Sequence, residues 1–248
     1  MKTQVIRLNE ERNVTLTAYL QEVGGEFPHV LKRPAVIILP GGGYYLCCDR
    51  EADPVAMHYL AAGYQVFILR YSVKEHAKWP TPLDDYEQAM KLIRSKAEEW
   101  NLHSDKVAVV GFSAGGHLAA ATATMSENRP NAAILGYALL NDDVKPHNAD
   151  APNTVLAVDK NTCPCFLFST RDDTVVKISN SLDFMQALVE HDVPFECHIY
   201  SVGPHGISTD DDDVRCMDEV ACSRAKNWVA DSIGWLRDTF GEWREVKN

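Results

Sequence analysis

Apolar and polar positions along the chain switch between two periods. Residues 14–22 (Val-Thr-Leu-Thr-Ala-Tyr-Leu-Gln-Glu) alternate, the period of two that predicts a strand with one buried face. Residues 35–39 (Ala-Val-Ile-Ile-Leu) are wholly apolar, as in a strand covered on both faces. That run stops at the breaker Pro40-Gly41-Gly42-Gly43. Residues 52–62 suit a helix ending at Gly63, and 64–69 repeat the buried-strand pattern. A helix is predicted over about 84–100. Asp84 and Asp85 lie at its start, where carboxylates meet the positive end of the helix dipole. Met90, Ile93, Ala97 and Trp100 recur at helical spacing. Further strands are predicted at 106–111, 132–140, 166–169 and 195–200. A helix fits 114–125. Two more are marked by Ile178, Leu182, Met185 and Val189, and by Val229, Ile233, Leu236 and Phe240.

Such alternation of strand and helix predicts the α/β class: a mostly parallel central sheet with helices on both faces. No internal repeat, low-complexity segment or linker divides the chain, so 1–248 reads as a single domain. Residues 141–162 are polar and weakly periodic, and read as a surface excursion or a small cap. The acidic run 210–213 reads as a solvated loop, since four adjacent carboxylates cannot all turn toward one ion.

Composition then removes function classes. The 24 Lys and Arg against 35 Asp and Glu give a net charge of −11. Nucleic-acid binding needs clustered cations, so that partner is not expected. A hydrophobic fraction of 46% excludes a disordered or fibrous chain. Residues 1–12 hold no apolar signal core, and no apolar run approaches the ~18 residues of a membrane span. A cytoplasmic location without membrane contact is the expectation. The seven cysteines (47, 48, 163, 165, 197, 216 and 222) are then reduced thiols. Cys163-Pro164-Cys165 lacks the two-residue spacer of a redox or metal motif and runs into Phe166-Leu167-Phe168, so it reads as buried strand. No metal is expected.

The sharpest chemical signal is Gly111-Phe112-Ser113-Ala114-Gly115, entered by a strand pattern and left by a helix pattern. That is the context of a Gly-x-Ser-x-Gly turn, which presents a serine hydroxyl beside the positive end of a helix. A serine is a weak nucleophile until a base takes its proton. His205, in Ser201-Val-Gly-Pro-His205-Gly206 after the last strand pattern, is the candidate base. His117 lies inside the helix and reads as a supporting or packing residue, and His198 as structural. The carboxylate that orients the base should follow the preceding strand, where Asp172 and Asp173 both qualify by spacing. The N–H of Ala114 and those of Gly42 and Gly43 are candidate oxyanion donors. The same glycine loop lacks the spacing and the Lys-Ser/Thr tail of nucleotide loops.

These residues together resemble an α/β-hydrolase of the bacterial acetyl-esterase type, a group that includes acetyl xylan esterase-like and related carbohydrate-esterase proteins. The resemblance runs through Pro40-Gly-Gly-Gly-Tyr44, Asp49-Arg-Glu-Ala-Asp-Pro54, 63–71, 80–85, 111–117, 172–176, Asn180-Ser-Leu182 and 203–206. It implies an α/β-hydrolase fold with little or no cap and a Ser-His-Asp triad that needs no cofactor. Aligned on Asn180-Ser181-Leu182, it places the third triad member on Asp173. Relatives often begin the glycine loop with His, where this chain has Pro40, and Ser169-Thr170-Arg171 also departs from the family pattern. With no export signal, the implied substrate is a small ester or a soluble acetylated oligosaccharide. Tyr44, Tyr45, Arg50, Trp79 and His117 are candidates to line its pocket, and Arg171 to touch substrate or cover its loop. A small-peptide serine hydrolase and a binding module on the same fold are the alternatives, and a homo-oligomer stays open.

Overall fold

A computed structural model describes residues 1–26, 28–215 and 220–244. Among them, eight strands form one sheet. They are β1 (Lys2–Asn9), β2 (Val14–Leu20), β3 (Arg33–Leu39), β4 (Gln65–Arg70), β5 (Leu102–Phe112), β6 (Ala132–Gly136), β7 (Cys165–Thr170) and β8 (Phe195–Tyr200). Their order is β1-β2-β4-β3-β5-β6-β7-β8. β1 and β2 form an antiparallel hairpin, and β2 runs antiparallel to β4. All pairs from β4 to β8 are parallel. The helices among the described residues are α1 (Asp53–Ala61), α2 (Thr81–Ser95), α3 (Ser113–Met125), α4 (Ser179–Glu190) and α5 (Trp228–Phe240).

The apolar runs are buried because successive side chains feed two different cores. Ile37, Leu39, Val107, Val109, Leu135 and Leu167 pack on one face with α2, α3 and α4. Val36, Ile38, Ala108, Val110, Ile134 and Phe168 pack on the other with α1 and α5. A strand covered on both faces has no polar side, which is why the sequence there shows no alternation.

Several bounds differ from the sequence pattern. The pattern does not show β1. It is an edge strand with mostly exposed or half-buried side chains and no apolar run. The helix predicted over 84–100 begins at Thr81 and ends at Ser95. Ala97 and Trp100 are buried from the turns that follow, so their spacing mimics another helical turn. The strand predicted over 132–140 stops at Gly136, because Tyr137 has a positive φ of 34°. Residues 141–162 form no separate cap. They hold two short 3₁₀ turns, Asp142–Val144 and Val155–Ala157, and Val144, Ala151 and Val158 join the core. The acidic run 210–213 is not uniformly solvated. Asp210 is buried against Arg215, and Asp211 pairs with His58. Six cysteines are free thiols, and Cys216 lies outside the described residues. No helix among the described residues is long and apolar enough to cross a membrane.

Asp84 and Asp85 share the first turns of α2 yet do different things. Asp84 is exposed, whereas Asp85 is fully buried. Asp85 accepts the Ser72 N–H at 2.8 Å and the Arg12 guanidinium at 2.8 Å, tying α2 to the end of β4 and to the β1–β2 turn. Breaking a buried pair leaves a charge without a partner. Asp85→Ala should lower unfolding free energy by about 3 kcal/mol, and Asp84→Ala by less than about 0.5 kcal/mol, in urea titrations.

Candidate active site

The parallel strands end on one side, where the loops leaving β3, β7 and β8 meet the direct β5–α3 turn. Open α/β sheets place their sites at the carboxyl ends of strands. β5 passes into α3 with no loop between them, and Ser113 absorbs the turn at φ +52°. Non-glycine residues rarely hold such a backbone, and this strain concentrates at functional sites. The turn is possible because glycines surround it. A Cβ on Gly111 would strike the Gly115 carbonyl, and one on Gly115 would strike the carbonyls of Leu39 and Pro40. Ser113 is itself only 8% exposed, nearly covered by the segments around it.

His205 reaches this turn from the loop after β8. Its Nε2 lies 2.9 Å from Ser113 Oγ, and its Nδ1 lies 2.8 Å from Asp173 Oδ2. Asp173 is buried, and its other oxygen accepts the N–H groups of Val175 and Val176 at 2.8 and 2.9 Å. The carboxylate is thus held from two sides before it meets the imidazole. Spacing alone leaves Asp172 open as well. Its side chain instead accepts the Gly203 N–H at 2.9 Å and pins the loop that presents His205. Thr170 Oγ1 adds a hydrogen bond to the Gly203 carbonyl at 2.7 Å. His198 lies away from this cluster, stacked on Phe166 and hydrogen-bonded to Glu196.

The glycine loop after β3 turns through three consecutive positive φ values: Gly42 at 127°, Gly43 at 63° and Tyr44 at 59°. The Gly42 carbonyl accepts the N–H groups of Tyr45 and Leu46, closing a tight bend. The N–H groups of Gly42 and Gly43 enter no hydrogen bond among the described residues. Ala114 opens the first turn of α3, where N–H groups have no intrahelical acceptor. These three donors lie at the same end of the sheet as Ser113. Pro40 removes the bracing that a histidine side chain would give. Other groups brace the loop instead: Tyr71 donates to the Pro40 carbonyl at 2.6 Å, and Glu51 accepts the Gly41 N–H at 2.7 Å.

The residues expected to line a pocket divide. Tyr44 borders the cleft beside Gly43 but is nearly covered, and His117 lies behind it. They are 2% and 0% exposed, and Tyr44 Oη lies 2.6 Å from His117 Nδ1. Burial drives the Tyr44 hydroxyl well above its ordinary pKa, so it stays a donor. His117 Nε2 donates to the Pro152 carbonyl at 2.8 Å. The pair therefore ties the glycine loop, α3 and the 141–162 segment together from behind. Trp79 is half-buried, edge-on to His117 at 5.4 Å. Arg50 is exposed, and its guanidinium lies beside Gly206. Tyr45 is open, at 65% exposure, with the Lys74 ammonium 5.2 Å from its ring centre. Arg171 is exposed and outside the hydrogen-bonded cluster. Beside Gly43 lies a cleft of about 440 Å³ whose walls include Tyr45, Lys74, Lys78, His147 and Asp150. Lys74 and His147 escape the sequence reading because they come from segments with no motif. Glu51 sits in a motif segment but carries no role there, and its burial at 2% exposure is visible only in three dimensions.

Comparison with known proteins points to one superfamily. The BD-FAE family model matches residues 28–148. The chain is 30% identical over 215 residues to endo-1,4-beta-xylanase B of Butyrivibrio fibrisolvens, covering 74% of this chain and 34% of that protein. It is 29% identical over 195 residues to the acetylxylan esterase of Xylanibacter ruminicola, covering 69% of this chain and 40% of that one. It thus spans less than half the length of either curated relative. The crystal structure of MGS-M1, an alpha/beta hydrolase enzyme from a Medee basin deep-sea metagenome library, superimposes with a TM-score of 0.92 at 41% identity. That match covers 98% of this chain and 99% of MGS-M1. The chain belongs to the α/β-hydrolase superfamily, on its esterase-like side.

In this hydrolase, burial lowers the His117 pKa to about 4. An unfolded histidine takes its proton near ~6.5. Between those values the unfolded chain binds the proton and the folded chain does not, so stability rises with pH. The contribution is complete above about pH 6.5 and is lost as pH falls toward 4, a change of about 3 kcal/mol. Thermal unfolding of the wild type should therefore drop more steeply from pH 6.5 to 4.5 than that of His117→Asn. Parallel profiles would refute the account.

Proposed function

We propose that this chain is a serine carboxylic-ester hydrolase that removes short acyl groups, acetyl foremost, from sugar hydroxyls. The observation that carries the reading is the continuous relay from Ser113 Oγ to His205 to Asp173, at 2.9 and 2.8 Å. Both distances are ordinary hydrogen-bond lengths, short enough for direct proton transfer.

In the proposed cycle, Ser113 Oγ attacks the ester carbonyl while His205 Nε2 takes its proton. Asp173 holds the Nδ1–H and balances the imidazolium charge. The carbonyl oxygen gains negative charge, and the N–H groups of Gly42, Gly43 and Ala114 receive it. The C–O bond then breaks, and His205 returns its proton to the leaving alcohol. Water, deprotonated by the same imidazole, attacks the acyl-enzyme and releases the carboxylic acid, regenerating Ser113. Every proton in this sequence passes through His205, and no cofactor enters.

The substrate class rests on the cleft beside Gly43. Its walls are polar and its volume of about 440 Å³ suits one or two sugar rings better than a long acyl chain. Tyr45 offers an exposed ring face, the usual partner of a sugar's C–H face. His147 Nδ1 would lie 3.3 Å from a Cβ built on Gly43, so its ring borders the proposed oxyanion loop. The relative named acetylxylan esterase points the same way.

Ser113→Ala and His205→Ala should each lower kcat on 4-nitrophenyl acetate by at least about 10³-fold with folding retained. Asp173→Asn should do the same, and Asp172→Asn much less. Acetate release from acetylated xylo-oligosaccharides should vanish in Ser113→Ala. Unchanged turnover in that variant would sink the assignment. Tyr45→Ala should raise KM about threefold to tenfold for the acetylated sugar and leave 4-nitrophenyl acetate unaffected. An equal effect on both substrates would remove Tyr45 from sugar recognition.

A further inference from the structure

Glu51 ends the short 3₁₀ turn Asp49–Glu51 that precedes α1. Its neighbours Asp49 and Arg50 are exposed, whereas Glu51 is 2% exposed. Both of its oxygens are engaged. Oε2 accepts the Gly41 N–H at 2.7 Å, and Oε1 accepts the Tyr137 hydroxyl at 2.6 Å. Tyr137 is buried at the end of β6, and its oxygen accepts the Ser208 N–H at 3.2 Å. Ser208 Oγ returns a hydrogen bond to the Arg50 carbonyl at 2.5 Å, and Trp228 Nε1 donates to the Ser208 carbonyl at 2.7 Å. The Tyr137 ring meets His205 edge-on, with centres 5.1 Å apart. A Cβ built on Gly41 would lie 2.8 Å from Glu51 Oε2 and 3.0 Å from Ser113 Cβ. The carboxylate thus sits directly behind the serine turn.

We infer that Glu51 is a positioning residue that sets the glycine loop and the His205 loop at their working distance from each other. The inference rests on the reading of Ser113 as nucleophile and His205 as base. Its chemistry follows from the donor count. An ionised carboxylate only accepts, and here two donors from two different loops converge on it. The side chain of a Glu51→Gln variant supplies one acceptor oxygen and one N–H₂ group. With that oxygen on the Gly41 N–H, the N–H₂ group would point a donor at Tyr137. Even if the Tyr137 oxygen accepts from that group as well as from Ser208, its own O–H is left without the acceptor that Glu51 provides, and the junction would relax apart. Displacement of about 1 Å in catalytic groups can cost about 10²-fold in rate. Substrate contacts do not change, so ground-state binding is spared.

The test compares wild type, Glu51→Gln, Tyr137→Phe and the double variant. It measures kcat and KM on 4-nitrophenyl acetate, thermal stability, and the rate at which a fluorophosphonate probe modifies Ser113. Glu51→Gln should lower kcat and the labelling rate on the order of 10²-fold, with KM little changed. Tyr137→Phe keeps the ring against His205 and cuts only the link. Its loss should be about tenfold, the rate equivalent of one hydrogen bond. The double variant should be no slower than Glu51→Gln, because both changes cut one path. If Glu51→Gln fails to fold, Tyr137→Phe carries the test. Wild-type kcat and labelling in a folded Glu51→Gln, or in Tyr137→Phe, would overturn the inference. So would losses that multiply in the double variant, or a rise confined to KM. A wild-type chain that resists the probe would overturn the nucleophile reading, and this inference with it.

Discussion

Ser113 has a φ of +52° because β5 must pass into α3 without a loop, and every neighbouring contact accommodates that turn. The sharp bend brings the start of α3 against the ends of β3 and β6. Gly115 then rests on the Leu39 and Pro40 carbonyls, and Gly116 packs on Ala138. Side chains at these positions would push the helix away and displace both the Ser113 hydroxyl and the Ala114 donor. Strain of this kind persists only where the surroundings over-determine the backbone. Here the surroundings are the tightly paired central strands, with β3 and β5 in parallel register from Ala35–Val107 to Leu39–Gly111.

Around that fixed point, the glycine loop and the loop that carries His205 are held by polar groups, most of them buried. Tyr44 and His117 hold the glycine loop to α3 and to Pro152. Glu51 and Tyr137 hold the same loop to the segment after His205. Asp172 and Thr170 hold Gly203, just before His205. Buried polar networks of this type are worth their desolvation only when each member is satisfied, and a satisfied network rigidifies what it joins. The proposed chemistry needs that rigidity, since preorganised donors act on charge that exists only in the transition state.

The 141–162 segment shows how a polar stretch can become part of a site. It is tucked onto the sheet end by Val144, Ala151 and Val158 and anchored by Asn148 on the Ala77 carbonyl. This places His147 over Gly43 and makes the segment one wall of the cleft rather than a lid. In the proposed function, it shapes the alcohol side of the ester, while the β3 loop and the β5–α3 turn handle the acyl carbonyl.

The α/β class, the parallel core strands and the serine turn were legible in the chain before any folding. Those features rest on local pattern: apolar runs, helical spacing, and glycines that short-range sterics require. The same pattern placed His205 and narrowed the carboxylate to two adjacent residues. The edge strand β1 and the true ends of α2 and β6 were not legible. An edge strand has no buried pattern, and the φ of Tyr137 is imposed by its neighbours. Spacing leaves both aspartates open and the resemblance aligned on 180–182 selects Asp173, and in the fold it is the Asp173 carboxylate that lies beside His205. Adjacent residues differ in direction, and spacing along the chain does not encode direction. The same reason buries the Tyr44 and His117 side chains and brings His147 and Lys74 to the cleft that Tyr44 borders. Glu51 carries no role of its own within the segment 49–54, and the fold buries it between donors from residues 41 and 137. Burial and partnership across long sequence separations are properties of the packed chain, and no local pattern carries them.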